Sequence, residues 1–284
     1  MTTSKYYEFI HKDLLASHGT SSIAPTKDFH VHDNYEIYLF LDGEVNLFIN
    51  QFCYHLQRGN LLVINNHEIH KVINLSGKPY ERMTIHFKPD MIQPFCSAET
   101  NLLHCFINRK SGFDHIIQLD ESQIEEFIRI SSKLIHALEH KTYGSDVLSL
   151  TFLVQILVFT NDAFGKVKSL LPRATSSFIH SVMQYIENNL RSELSLEQIS
   201  KKLSVDKFYL SHMFKSQTGG TIYHYILMKR VALAKQLLAD GHSVSLACHS
   251  SGFNDYANFI RTFKKISGIS PGKYAKLSRS QSQN

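Results

Sequence analysis

Hydrophobic and polar positions change their period along the chain. Between Phe29 and about Lys88 the apolar residues fall in short β-branched or aromatic runs, 36–41, 45–49, 61–64 and 83–87. Turn residues separate them at Asp42-Gly43, Arg58-Gly59-Asn60 and Ser76-Gly77-Lys78-Pro79. This spacing predicts a small antiparallel barrel or sandwich. After Asp120 the period becomes helical, first through Ile124, Phe127, Ile128, Ser131, Leu134, Ile135 and Leu138. It continues through Val147, Leu150, Leu153, Val154, Leu157 and Val158. The polar stretch 166–177, with Pro172 inside it, reads as a linker.

The C-terminal half is helical and repeats. An amphipathic helix is expected over 178–190. Ser195 and Gln198 have capping-box spacing before a short helix, and Asp206 is placed to cap the next one, which stops at Gly219-Gly220. A longer helix runs from Thr221 to Gly241. The unit then recurs, with Ser243 as one cap, Asn254 or Asp255 as the next, and closure at Pro271-Gly272. The pattern F-K-x-x-x-G occurs at 214–219 and again at 263–268. Two copies of helix, tight turn, helix are thereby predicted, at 196–217 and 243–266, joined by one long helix.

Composition sharpens this picture. The chain has 284 residues, enough for two domains, and 43% apolar residues, enough for a packed core. Residues 1–172 hold 15 Lys and Arg against 19 Asp and Glu, whereas 173–284 hold 15 against 6. A basic second half suits a polyanionic partner, although a solvated basic face would read the same way. Cys53, Cys96, Cys105 and Cys248 are scattered, which argues against a disulfide framework or a thiolate zinc site and fits a reducing cytoplasm. No apolar run is expected to span a membrane, and the polar N-terminus carries no secretion signal. No nucleophile elbow, P-loop or HExxH motif points to a hydrolase.

The residues Ser195-Leu-Glu-Gln-Ile, the run 209–215 and Thr218-Gly219, with Gly252-Phe253, the run 259–264, Gly268 and Ser270-Pro271, resemble the DNA-binding domain of the AraC/XylS family of bacterial transcription regulators. The resemblance implies two recognition helices in successive major grooves, about 34 Å apart. By position in the motif, Phe208, Ser211 and His212 would face bases from the first, and Tyr256, Asn258 and Arg261 from the second. Lys215, Lys264 and Lys265 would meet phosphates. Phe214, Phe259 and Phe263 fall on the apolar stripe and are read as core, while Phe208 could be either core or contact. His212 stands where the family commonly has Arg, and Leu246-Ala-Cys-His249 departs from the usual pattern of the second unit.

In the first half, His30-Val-His32, Glu36 and Gly43, then Gly59, His70 and Asn74, resemble the two motifs of the cupin barrel. Asn65 and His67 replace the usual proline and glycine. Positions 30, 32 and 36 share parity, so on one strand they would face the interior together, and Arg82 and His86 share parity on a later strand. Three readings stay open. His30, His32, Glu36, His70, Arg82 and His86 could bind a small polar effector such as a sugar. His30, His32, Glu36 and His70 could hold a divalent metal, the one cofactor considered. The same groups could form a buried polar network without a ligand. The histidines at 11, 18, 55, 104, 115, 136 and 140 are expected mostly at the surface.

The expected architecture is α+β with two domains. A cupin-like β-barrel plus helices occupies 1–165 and serves effector binding and dimerisation. The linker 166–177 leads to an all-α DNA-binding domain over 178–278, with a tail at 279–284. The function implied is a cytoplasmic, homodimeric regulator, an activator that binds double-stranded promoter DNA and RNA polymerase under control of the effector, and not an enzyme. The competing readings are a metal-binding cupin sensor, a metal-dependent cupin enzyme fused to a DNA-binding domain, and a constitutive architectural DNA binder.

Overall fold

The computed structural model describes residues 7–8, 13–22, 28–109, 114–140, 142–166 and 177–281. Most of the expected linker and His11 lie outside this set. The N-terminal domain contains strands β1 (Tyr7–Glu8), β2 (Leu14–Ser21), β3 (Tyr35–Asp42), β4 (Val45–Ile49), β5 (Phe52–His55), β6 (Asn60–Ile64), β7 (His70–Asn74), β8 (Tyr80–Phe87) and β9 (Ile116–Gln118). They form a six-stranded antiparallel sheet ordered β1-β2-β8-β3-β6-β9 and a three-stranded sheet ordered β5-β4-β7.

Strands β3 and β6 read as nearly continuous apolar runs because both of their faces are buried, whereas β8 carries polar side chains at Glu81, Arg82, Thr84 and His86. Ile37, Leu39, Leu61, Val63, Met83 and Ile85 face outward into a core shared with the helices. Tyr38, Phe40, Leu62, Ile64 and Tyr80 face the second sheet. Strand β2 escaped the sequence pattern because Ser, His, Gly and Thr dilute its apolar residues. It pairs along all of β8, from Leu14 opposite Phe87 to Ser21 opposite Tyr80.

The outer face of the large sheet is covered by α1 (His104–Ile107), α2 (Glu121–Glu139) and α3 (Ser145–Lys166). The Asp120–Gln123 capping box starts α2. The buried face of α3 is rotated from the expected one: Leu153, Ile156, Leu157 and Ala163 are buried, whereas Val147 and Val158 are exposed. Helix α3 also corrects the membrane expectation. By length and composition it could cross a bilayer, with a mean hydropathy of 1.7, yet one face packs on α2 and the sheet. Within it, Ser149 and Thr160 are buried and donate to carbonyls one turn back, at 2.7 Å each.

The C-terminal domain comprises α4 (Ser177–Asn188), α5 (Leu196–Lys202), α6 (Lys207–Thr218), α7 (Ile222–Ala239), α8 (Val244–Ser250), α9 (Tyr256–Ser267) and α10 (Pro271–Gln281). Pro271 opens this last helix rather than closing the preceding one, so the expected tail is helical as far as Gln281. The two domains share a buried cluster. Phe29, Val31, Phe48, Cys53 and Ile69 pack with Ile179, Leu210, Phe214, Tyr225 and Ile226. The layers therefore run from α2 and α3, through the large sheet, the interior and the small sheet, to the C-terminal helices. All four cysteines are free thiols.

Candidate DNA interface and effector site

The repeated sequence builds the same device twice. Ser195 and Gln198 close a reciprocal capping box at α5, with bonds of 3.1 and 2.8 Å. Asp206 Oδ1 accepts from the amides of Phe208 and Tyr209 at 2.8 and 3.1 Å, starting α6. In the second unit Ser243 caps α8, and Asp255 caps α9 by accepting from the Asn258 amide. Helices α6 and α9 both end on a left-handed glycine, Gly219 at φ +67° and Gly268 at φ +75°. Phe214, Phe259 and Phe263 are fully buried, as expected from the apolar stripe. Ala247 and Cys248 are also fully buried, so the unusual sequence of α8 packs normally.

The surfaces left over are basic and aromatic. Phe208, Ser211, His212 and Lys215 lie on the exposed side of α6, and Tyr256, Arg261, Lys264 and Lys265 on that of α9, while Asn258 is half-buried beside Thr262. Phe208 is 75% exposed, which removes it from the core.

In the N-terminal domain a cavity of about 400 Å³ lies between the sheets. All six residues expected around an effector line it: His30, His32, Glu36, His70, Arg82 and His86. The geometry differs from the parity argument. His30 and His32 do not share a strand with Glu36, which lies on β3. His30 forms an isolated bridge with His70, exchanging backbone bonds of 3.1 and 3.0 Å, and the chain bends before β3 starts at Tyr35. The bend still delivers both side chains to the cavity.

Glu36 is the centre of the cluster. Its Oε2 lies 3.2 Å from both His32 Nε2 and His70 Nε2, and its Oε1 lies 3.9 Å from His86 Nε2. Burial opposes ionisation of Glu36, but the His86, His32 and His70 imidazoles outweigh it and hold the carboxyl well below the usual range. Burial likewise works against a charge on His70, yet the Glu36 contact wins and raises its pKa. Burial, with His70 nearby, pushes His30 down to about 2, and burial pushes His86 down to about 4. The Nδ1 atoms of His32 and His70 lie 2.9 and 3.0 Å from the carbonyls of Asn34 and Glu68, so each donates there. In its neutral form each ring therefore aims an Nε2 lone pair at the cluster. Two donor triads, His30/His32/His70 and His32/Glu36/His86, have ligand atoms within 4.8 Å of one another.

Both domains have counterparts in known proteins. Residues 15–157 match the AraC-like ligand binding domain, and residues 199–277 match a helix-turn-helix domain. The chain belongs to the AraC/XylS family. The multiple antibiotic resistance protein MarA of Escherichia coli is 34% identical over 97 residues, which is 34% of this chain and 76% of that protein. The Msm operon regulatory protein of Streptococcus mutans is 24% identical over 280 residues, covering 90% of this chain and 87% of that protein. The crystal structure of ToxT from Vibrio cholerae O395 covers 94% of this chain and 98% of its own, with 13% identity and a TM-score of 0.37.

In this AraC/XylS regulator the segment 28–34 lies between the cavity and the DNA-binding domain. His30 and His32 point into the cavity, while Phe29, Val31 and Asp33 point the other way. The Phe29 ring packs edge-on against Tyr225 of α7, 5.0 Å between centroids, and the Phe29 carbonyl accepts from His224 Nε2 at 3.2 Å. Asp33 pairs with Lys235 of α7 at 2.8 Å. A second cavity, about 520 Å³, opens at the domain junction beside His67, Arg191 and Lys229, where Lys229 is already paired with Glu187.

Sequence reasoning missed several cavity residues of the regulator: Leu15, Asn34, Tyr38, Leu47, Val72 and Thr84. Parity held the signal for Tyr38, two residues after Glu36, and for Thr84, between Arg82 and His86. Nothing marked Leu15, on the overlooked strand. His115, expected at the surface, is buried at 2% exposure, because Arg109 donates to its Nδ1.

Proposed function

We propose that this AraC/XylS regulator is a cytoplasmic homodimer that activates promoters in response to a small polar effector in the N-terminal cavity, and that it has no catalytic role. The observation that carries the reading is segment 28–34, whose alternate side chains enter the cavity and the DNA-binding domain. An effector that binds His30 and His32 better in one setting of this segment shifts the population of domain arrangements by its differential affinity. The exposed face of α6 would offer Phe208, Ser211 and His212 to bases, and that of α9 would offer Tyr256, Asn258 and Arg261. Lys215, Lys264 and Lys265 would neutralise phosphates. The name of the streptococcal relative, an operon regulator, and family membership support promoter DNA and RNA polymerase as partners. Tyr143, Val147, Leu148 and Val158 are exposed on α3 and the turn before it, which supports a dimer through this face.

The two donor triads favour a second reading, a divalent metal held by His32 either with His30 and His70 or with Glu36 and His86, which overlaps the expected set His30, His32, Glu36 and His70. Imidazole and carboxylate donors with Nε2 lone pairs turned inward fit such an ion. A thermal-shift scan of chelator-treated protein separates the two. A ligand at about 100 times its Kd adds about 2.7 kcal/mol. Stabilisation by an organic effector without metal, lost in His32→Ala, supports the effector reading. Stabilisation by zinc or manganese alone replaces it with the metal sensor.

A further inference from the structure

Among the described residues, one cation of the cavity has no counter-charge. Arg82 projects from β8 into the interior and is 6% exposed. Its Nη1 is buried and has no hydrogen-bond partner. Among the described residues no carboxylate forms an ion pair with it, and the guanidinium lies over the Tyr80 ring at 4.7 Å. A guanidinium does not deprotonate in proteins, so the charge persists, and burying it unpaired is costly.

Arg109, in the same domain, shows what a structural arginine looks like. It donates to the carbonyls of Val63 and Phe106 at 3.0 Å and to Glu68 at 2.8 Å, and also to His115. Arg82 has none of these bonds. Nor is Glu36 available to it, since that carboxylate is surrounded by His32, His70 and His86. The register explains the separation. Glu36 lies opposite His86, whereas Arg82 lies opposite Phe40. Four residues of strand put roughly 13 Å between the backbone positions of Arg82 and His86.

The cavity is thus bipolar. A cation stands at one end and a carboxylate–imidazole cluster at the other, with Thr84, Tyr38, Leu47 and Val72 between them. Its volume, about 400 Å³, is within the usual range for small-molecule sites. Resting on the effector reading above, we infer that the effector is an anionic polyol, its carboxylate or phosphate held by Arg82 and its hydroxyls by Glu36 and the histidines. A neutral sugar would leave the guanidinium unpaired in the complex, whereas an acid would satisfy it through a charge-assisted, bidentate contact.

The test is calorimetric titration of the full chain with galacturonate, glucose 6-phosphate, galactose, the methyl ester of galacturonate, and octanoate. The expected result is binding of galacturonate or glucose 6-phosphate, roughly 10- to 100-fold tighter than the neutral compounds and weakened by a similar factor in Arg82→Gln. Galacturonate alone identifies a carboxylate, and glucose 6-phosphate alone a phosphate. Arg82→Met supplies a readout that a structural role would not give: melting of the unliganded protein rises by a few degrees, because an unpaired buried charge is removed. A fall in melting temperature assigns Arg82 to the framework and overturns the inference. Galactose or the ester binding as well as the acids overturns it too, but leaves the effector reading standing, as does binding of octanoate alone. Silence from all five compounds overturns the inference and counts against the effector reading with it.

Discussion

Asp33 and Lys235 stand 202 residues apart in the chain and form a 2.8 Å ion pair between the domains. The lysine side chain is 2% exposed and the aspartate 32%. The ammonium also lies 5.5 Å from the centre of the Tyr274 ring on α10, so the pair ties the cavity-lining segment to the connecting helix α7 and to α10. Removing one partner of a buried pair strands the other. With solvent screening at the aspartate discounted, Lys235→Met or Asp33→Asn is expected to cost about 2 kcal/mol. The double variant should cost less than the sum of the two. Denaturant melts of the four proteins give this coupling directly, and additive costs would show that the pair contributes nothing.

The proposed DNA contacts separate into two kinds. Arg261→Ala should lower affinity for the specific site by about 1–3 kcal/mol with little change for random DNA. Lys264→Ala should weaken both and reduce the slope of log affinity against log salt by about 1. Anisotropy titrations at several salt concentrations check both. An unchanged footprint in Arg261→Ala would reject its base contact.

The two recognition helices end on equivalent glycines in unequal surroundings. A Cβ at Gly268 would meet open space, whereas a Cβ at Gly219 would stand 2.8 Å from Lys71 Nζ of the small sheet. Gly268→Ala is therefore expected to cost only the left-handed backbone penalty, about 1–2 kcal/mol. Gly219→Ala should cost about the same, because only the flexible end of the Lys71 side chain has to move aside. Denaturant melts of the two variants check the comparison.

His115 supplies a pH dependence independent of the effector. Burial pushes its pKa down to about 4, against about 6.5 in the unfolded chain. The native state therefore binds fewer protons than the unfolded state between these values, and stability rises with pH across that window. The contribution is complete above about pH 6.5, is lost as pH falls toward 4, and is on the order of 3 kcal/mol. Melting curves from pH 7.5 to 4 should show this loss, and His115→Gln should reduce it, leaving the share due to His30 and His86.

The C-terminal domain was legible in the sequence because its signals are local. Caps at Ser195, Asp206, Ser243 and Asp255 and stops at Gly219 and Gly268 each act within one turn of helix. The N-terminal cavity was legible in its residues but not in its geometry. Equal parity suggested one strand for His30, His32 and Glu36, whereas the backbone bends before Tyr35 and His70 holds His30 across a single bridge. Strand β2 and the Asp33–Lys235 pair were not legible. The first is a strand because β8 pairs with it, and the second depends on tertiary contact across 202 residues.

Segment 28–34 also bears on how such a regulator changes over generations. Its even positions, His30 and His32, meet the cavity, and its odd positions, Phe29, Val31 and Asp33, meet the DNA-binding domain. Substitutions at one set leave the other set's contacts in place. On the effector reading proposed above, a lineage can therefore exchange one ligand for another by altering alternate residues and keep the same contacts to the DNA-binding domain, without having to reinvent both at once.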